Sequence, residues 1–186
     1  MSRSELEPTT IRTSDPARDA AACAAIYAPF VDAGATSFEK EAPDAAAFAA
    51  RIAETQARFP WLVAERDGVV AGYAYACPHR YRPAYRWAVE TSVYIAEDQR
   101  HSGLGRALYA ELIERLRRQR FHVACAGITL PNRASVALHE SIGFVPVGVY
   151  RRIGWKDGAW RDVGWWQLEL QPAGEQAPAE PLPPES

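Results

Sequence analysis

The sequence predicts a single α/β domain, α+β in layout, with a central, mixed and mostly antiparallel sheet flanked by helices. Three observations predict it. At 186 residues and 48% apolar character the chain can bury one sizeable core and falls within the usual length of one domain. Short apolar runs rich in Val, Ile, Tyr and Trp are bounded by turn residues, the mark of strands. Other stretches repeat their apolar residues every three or four positions, the mark of helices.

In chain order, a short strand is expected at Thr10 to Thr13. Asp15-Pro16 then opens a helix, with the carboxylate as N-cap and proline at the first helical position, and an Ala-rich segment continues it to about Tyr27. A second helix is expected from Pro43 to Arg58, with Phe48 and Ile52 one turn apart on its inner face and Pro60 as its stop. An irregular stretch with Thr36, Ser37 and Phe38 separates the two. Trp61 to Arg66 and Val69 onward read as two strands joined by Asp67-Gly68, because Asp-Gly suits the positive backbone angles of a type I′ turn. After a loop with Pro78 and Pro83, a strand from Val89 to Ile95 leads into the polar loop Ala96 to Gly105. Leu104, Leu108, Leu112 and Leu116 then line one face of a long helix whose other face carries Glu111, Glu114, Arg115 and Arg118. His122 to Leu130 is a strand that Pro131-Asn132 breaks, and a short helix from about Ala134 ends at Gly143. Two last strands, Phe144 to Arg152 and Trp160 to Leu170, flank the Lys156-Asp157-Gly158 turn. The division is therefore a flexible N-terminus (1–8), the domain (9–170) and a Pro-rich tail (171–186) expected to be disordered and dispensable.

Charge and composition exclude several classes of function. With 21 basic and 23 acidic residues the net charge is −2, which offers no general attraction to phosphate backbones or anionic lipid, so neither nucleic acid nor membrane is an expected partner. The first residues lack the order of a signal peptide and no apolar run approaches membrane-spanning length, so a cytoplasmic location is expected. Cys23, Cys77 and Cys125 are widely spaced and odd in number, which fits reduced core residues. The four histidines, His79, His101, His122 and His139, lack ligand spacing, so no metal is expected.

The most informative string is Arg100-His101-Ser102-Gly103-Leu104-Gly105-Arg106, placed between a strand and a helix start. Glycines there let the backbone turn sharply, and free N–H groups at a helix start, aided by the helix dipole, form an anion site. Taken alone, the pair of glycines fits equally well a turn that opens a helix. A Walker A loop requires Lys-Ser/Thr where Arg106-Ala107 stands, and a dinucleotide fingerprint requires a third glycine near Leu108.

Arg100-x-x-Gly103-x-Gly105 is similar to the Gln/Arg-x-x-Gly-x-Gly/Ala signature of the GNAT family of N-acetyltransferases. Glu90-Thr-Ser-Val-Tyr-Ile, Asn132-Arg-Ala-Ser-Val-Ala-Leu-His-Glu-Ser-Ile-Gly-Phe and Gly154-Trp-Lys-Asp-Gly-Ala-Trp resemble its phosphinothricin and methionine sulfone acetyltransferase branch. The resemblance runs from Ile11 to Leu170. It implies an acetyl-CoA-dependent enzyme that acetylates the primary amine of a small amino-acid-like substrate such as phosphinothricin, methionine sulfone or methionine sulfoximine. It also implies splayed central strands that hold acetyl-CoA, and a homodimer.

By the same resemblance, residues 100–106 hold the cofactor pyrophosphate, the backbone of Val93, Tyr94 and Ile95 pairs with the pantetheine arm, and Asn132 bonds that arm. An alkyl amine is mostly ammonium at neutral pH, so the reaction needs a proton acceptor, and Glu90 is the candidate, directly or through a water. The bland alternative is a surface glutamate at a strand end. His139 stands where much of the family has an acidic tyrosine, and it is open between general acid and core histidine. Arg80, Tyr81 and Arg82, with Glu90, Thr91, Ser92 and Phe38, are the substrate-lining candidates, since guanidinium forks onto carboxylates and oxyacids. His79 replaces the tryptophan that family members carry after the proline. Trp155, Trp160, Trp165 and Trp166 are assigned to sheet core and subunit contact. Two other readings remain: acetylation of a protein or peptide, and a non-catalytic acetyl-CoA sensor.

Overall fold

The computed structural model describes residues 9–185, so the expected flexible segment 1–8 lies outside the described residues. The elements are β1 (Thr10–Thr13), α1 (Pro16–Asp32), α2 (Ala45–Gln56), β2 (Trp61–Arg66), β3 (Val69–Pro78), β4 (Ala88–Ile95), α3 (Leu104–Arg118), β5 (Val123–Leu130), α4 (Arg133–Ser141), β6 (Val145–Lys156) and β7 (Ala159–Glu169). Single-turn 3₁₀ helices at Pro83–Tyr85 and Glu97–Gln99 flank β4.

Local chemistry explains most boundaries. Asp15 Oδ1 accepts from the backbone N–H of Ala17 at 2.9 Å, and Pro16 needs no partner at the first helical position. The helix then runs past Tyr27 to Asp32 despite Pro29, one turn longer than expected, because Val31 still gains burial there at 1% exposure. Asp44, not Pro43, caps α2, accepting from Ala47 N–H at 2.8 Å, which shortens that helix at its start. Both Asp-Gly turns hold two positive φ values, 51° and 75° at Asp67-Gly68 and 52° and 71° at Asp157-Gly158. The strand β6 extends beyond Arg152 to Lys156 through irregular pairing between Tyr150 and Gly154, where Arg152 N–H bonds Asp162 Oδ1 at 2.7 Å.

All seven strands form one sheet in the order β1-β2-β3-β4-β5-β7-β6. Every neighbouring pair is antiparallel except β4 and β5. The sheet separates two cores. Leu104, Leu108, Leu112 and Leu116 of α3 bury against one face with Val89 of β4, while Tyr27, Phe48 and Ile52 of α1 and α2 bury against the other with Trp61 and Tyr73. Side chains of β4 therefore divide by parity, Val89, Val93 and Ile95 toward α3 and Tyr94 toward α1.

Among the described residues the Pro-rich tail forms no helix or strand, and it is bonded to the body of the domain. Leu182 and Gln119 exchange two hydrogen bonds, N–H to Gln119 O at 2.9 Å and Gln119 Nε2 to Leu182 O at 2.8 Å. Trp87 Nε1 donates to Ala179 O at 2.9 Å, and the Arg86 guanidinium bonds both oxygens of Glu180. Polar groups on the body, mostly donors, and not apolar burial within the tail, partner these contacts.

Candidate active site

The site originates in the one parallel pairing. β4 and β5 pair only at Ala88 with Val123, Val89 with Ala124 and Glu90 with Cys125. Beyond that point β4 stays with β3 as far as Ile95 opposite Gly72, and β5 stays with β7 as far as Leu130 opposite Asp162. The two strands diverge because each follows its antiparallel partner, and the inner edge of each loses its ladder. A cavity fills the gap, lined by residues 91–94 of β4, 127–129 of β5, and Asn132, Ser135 and His139 of α4, with Tyr109 of α3 at one wall.

Next to the gap the helix α3 starts at Gly103, whose φ of 81° a side chain would strain. No side chain among the described residues caps this start, whereas Asp15, Asp44 and Asn132 cap α1, α2 and α4. Its first N–H groups are left for an outside acceptor. Gly105 faces α4 closely, since a Cβ there would lie 3.2 Å from Leu138 Cδ2 and 3.8 Å from Ile95. Arg100, His101, Ser102 and Arg106 are exposed around this start. An extended chain carrying amides, followed by an anionic group, matches the sequence of free strand edge and uncapped helix, so the donor set fits acetyl-CoA.

Parity then places two groups of polar side chains on opposite faces of β4. On the α1 side, Glu90 Oε1 accepts from His79 Nδ1 at 3.0 Å and from Arg80 Nη1 at 3.3 Å. Trp165 of β7 backs this group, with its ring 5.7 Å from that of His79 and 5.9 Å from the Arg80 guanidinium. On the α3 side, His139 is 4% exposed. Its Nδ1 lies 2.7 Å from Ser135 O, which only accepts, so Nδ1 carries the hydrogen and Nε2 accepts from Tyr109 O–H at 2.8 Å. Burial pushes this imidazole below its ordinary value, and the bond to Ser135 offsets that only in part, which keeps the ring neutral at pH 7. Tyr109 is fully buried and its phenol is pushed well up by desolvation.

Several candidates land differently from expectation. Thr91 is buried on the α3 side, bonding Cys125 O at 3.3 Å, and so lies across the strand from the Glu90 group. Tyr81 is 97% exposed, and Arg82 is exposed without a side-chain bond among the described residues, so neither joins Arg80 at Glu90. Phe38 lies on β6, where a Cβ on Gly154 would collide with its ring. Its loop is held by Lys156, which donates to Val31 O at 2.8 Å and Glu39 O at 2.6 Å, and by Ser37, 2.7 Å from Tyr27 Oη. Asn132 caps α4 through Ser135 N–H at 3.1 Å while also lining the cavity. Ser92, Val93 and Tyr94 of β4 line the cavity, and Ile95 follows them at the end of the strand. Burial pushes the Cys125 thiol up to about 11 and those of Cys23 and Cys77 to about 12, which makes all three poor nucleophiles. Sequence reasoning missed Tyr109, whose place among the helix leucines reads as plain core, and saw His79 only as an oddity.

Comparison with known proteins agrees with this geometry. The model of the acetyltransferase (GNAT) domain matches residues 11–165. A phosphinothricin N-acetyltransferase of Streptomyces viridochromogenes is 38% identical over 96% of this chain and 97% of its own length. An L-methionine sulfoximine/L-methionine sulfone acetyltransferase of Salmonella typhimurium is 41% identical over 64% of this chain and 72% of its own. Among solved structures, a phosphinothricin acetyltransferase of Sinorhizobium meliloti in complex with acetyl-CoA superposes with a TM-score of 0.87 at 34% identity, covering 92% of this chain and 94% of that one. A ribosomal-protein-alanine N-acetyltransferase of Brucella melitensis gives 0.81 at 40% identity over 86% and 99%. With its signature loop at an uncapped helix start, its parted central strands and a match over most of its length, this chain belongs to the GNAT family of acetyltransferases.

Proposed function

We propose that this acetyltransferase moves the acetyl group of acetyl-CoA to the primary amine of a small amino acid with a second anionic or strongly polar end, such as phosphinothricin, methionine sulfone or methionine sulfoximine. The observation that carries this reading is the Glu90 carboxylate at the point where β4 and β5 part, with Arg80 3.3 Å away. The polar cluster around this carboxylate can draw a proton from the ammonium while the guanidinium forks onto the substrate's acidic end. Acetyl-CoA supplies the acetyl group as a thioester.

Within this reading the N–H groups at the start of α3, with Arg100, His101, Ser102 and Arg106, hold the pyrophosphate, and Gly103 and Gly105 let it come close. The free edge of Val93, Tyr94 and Ile95 aligns the pantetheine arm, with Asn132 beside it. Ser92 and Phe38 bound the substrate on the Glu90 side. His139 and Tyr109 stand on the opposite face, where the sulfur departs. Since the imidazole is neutral and its two nitrogens are occupied, His139 works through Tyr109 and not as a free imidazolium.

The exposed apolar residues of the edge strand β6 fit contact with a second copy, hence a homodimer. A cytoplasmic location suits a chain whose three cysteines are free. Peptide acetylation is the second reading, favoured by the likeness to the Brucella melitensis structure.

Acetyl-CoA-dependent thiol release with phosphinothricin, methionine sulfone, methionine sulfoximine, ordinary amino acids and an alanine-initiated peptide tests the assignment. Turnover confined to the amino-acid analogues, with kcat reduced about 10²-fold or more in Glu90→Gln, is the expected result. Turnover of the peptide alone overturns the substrate assignment in favour of the second reading.

A further inference from the structure

Among the described residues, the imidazole of His79 is the one titratable ring hydrogen-bonded to the Glu90 carboxylate. A carboxylate only accepts hydrogen bonds, so at 3.0 Å the hydrogen sits on Nδ1 and the lone pair of Nε2 is left free. No hydrogen bond within the described residues occupies Nε2. Glu90 also receives the Arg80 cation on the same oxygen, Oε1, so that oxygen already carries two donors. A carboxylate held this way suits the part of an orienting group better than that of a proton acceptor. Resting on the amine-acetylation reading above, and deepening it, we propose that Nε2 of His79 is the general base of this enzyme and that Glu90 orients and charges it.

The arrangement follows the logic by which a buried carboxylate fixes the tautomer of an imidazole and stabilises the imidazolium that forms. Trp165 fixes the ring plane from the β7 side, meeting it edge to face at 79°, and Tyr85 flanks it at 6.1 Å. The ring is part-buried, with 18% of its side chain exposed. The substrate ammonium has three N–H bonds. One proton passes to Nε2 before attack, giving imidazolium and a free amine. The amine nitrogen then forms the C–N bond, the C–S bond breaks, and the departing sulfur takes the second proton to become coenzyme A thiol. The third hydrogen remains on the amide, and the imidazolium returns its proton to solvent. The groups that face the ring are Glu90 of β4, Arg80 of its own loop, Tyr85 of the 3₁₀ turn and Trp165 of β7, with Cys77 two residues before it on the same face.

The test combines kinetics with a spectrum. In His79→Phe and His79→Gln, with folding checked by thermal melting, kcat for the amine substrate near neutral pH should fall roughly 10²-fold while KM for acetyl-CoA is unchanged. The deficit should close as pH rises and the amine loses its proton to solvent. In the wild-type protein the ¹⁵N spectrum of the neutral His79 ring should show hydrogen on Nδ1. Wild-type kcat and pH profile in both His79 variants, beside a Glu90→Gln variant that loses turnover, would overturn the proposal and leave Glu90 as the base. Hydrogen on Nε2 of the neutral ring would overturn it as well. Failure of the wild-type enzyme to acetylate any amine would instead remove the reading on which the proposal rests.

Discussion

Asp19 is the charge on which the first helix and the first two strands converge. Its side chain is 1% exposed and receives Arg12 through two bonds of 2.7 and 2.8 Å, and the same guanidinium reaches Glu65 of β2. The backbone N–H of Asp15 adds a third donor at 2.8 Å. Burial pushes the Asp19 carboxyl up, but the Arg12 and Asp15 hydrogen bonds outweigh it and hold the group below the ordinary carboxylate range. A depressed folded value means that the stabilisation is present above the unfolded value of about 3.9 and is lost as pH falls through the folded one. Asp19→Asn should therefore cost about 3 kcal/mol in urea unfolding at pH 7, and its deficit relative to wild type should shrink at pH 2 to 3. An equal deficit at both pH values would show that packing, not charge, is what the substitution removes. At this scale the sequence is legible where a residue acts through its own neighbours in the chain. Asp15, Gly103 and Gly105 are read directly from local turn and cap chemistry. Tyr109 and His79 are not, because their partners His139 and Glu90 are brought to them by packing and register.

The elements that sequence reading resolves best are those with a strong local signal. Asp67-Gly68 and Asp157-Gly158 specify their hairpins through backbone angles alone, and the four leucines of α3 specify its buried face. The divergence of β4 from β5 has no local signal, since it arises from the competing pairings with β3 and β7. The tail carries a comparable lesson. Its composition reads as disorder, while its bonds depend on donors that Arg86, Trp87 and Gln119 present from the body. Truncation after Gln171 is expected to lower the melting temperature by a few degrees, equivalent to about 1 kcal/mol, because Gln119, only 2% exposed, loses its partner Leu182. A melting temperature identical to that of the full chain would show the tail to be dispensable after all. Lys156 works at the same scale, tying the end of β6 to the connection that carries Phe38. Lys156→Met should raise KM for the amine more than it lowers kcat, a split that steady-state kinetics reads directly.

For the molecule as a whole, β6 is an edge strand whose Val147, Ile153 and Trp155 are 64%, 57% and 60% exposed, with Trp160 at 58% beside them. An apolar edge of this kind calls for a cover. Under the dimer reading, Ile153→Glu with Trp155→Glu yields a monomer in sedimentation velocity, and a wild-type protein that sediments as a monomer contradicts that reading. The two-sided site is likewise a property of the whole sheet, since Glu90 and His139 lie in separate segments and on opposite faces of one strand. Under the proposed function the gap between β4 and β5 holds the acetyl donor along β4, with the amine on the Glu90 face and the sulfur on the Tyr109 face. Amide hydrogen exchange with and without acetyl-CoA tests this most directly. Slower exchange confined to residues 91–95 and 103–107 is the predicted result; unchanged exchange there, with protection appearing elsewhere in the chain, would contradict it.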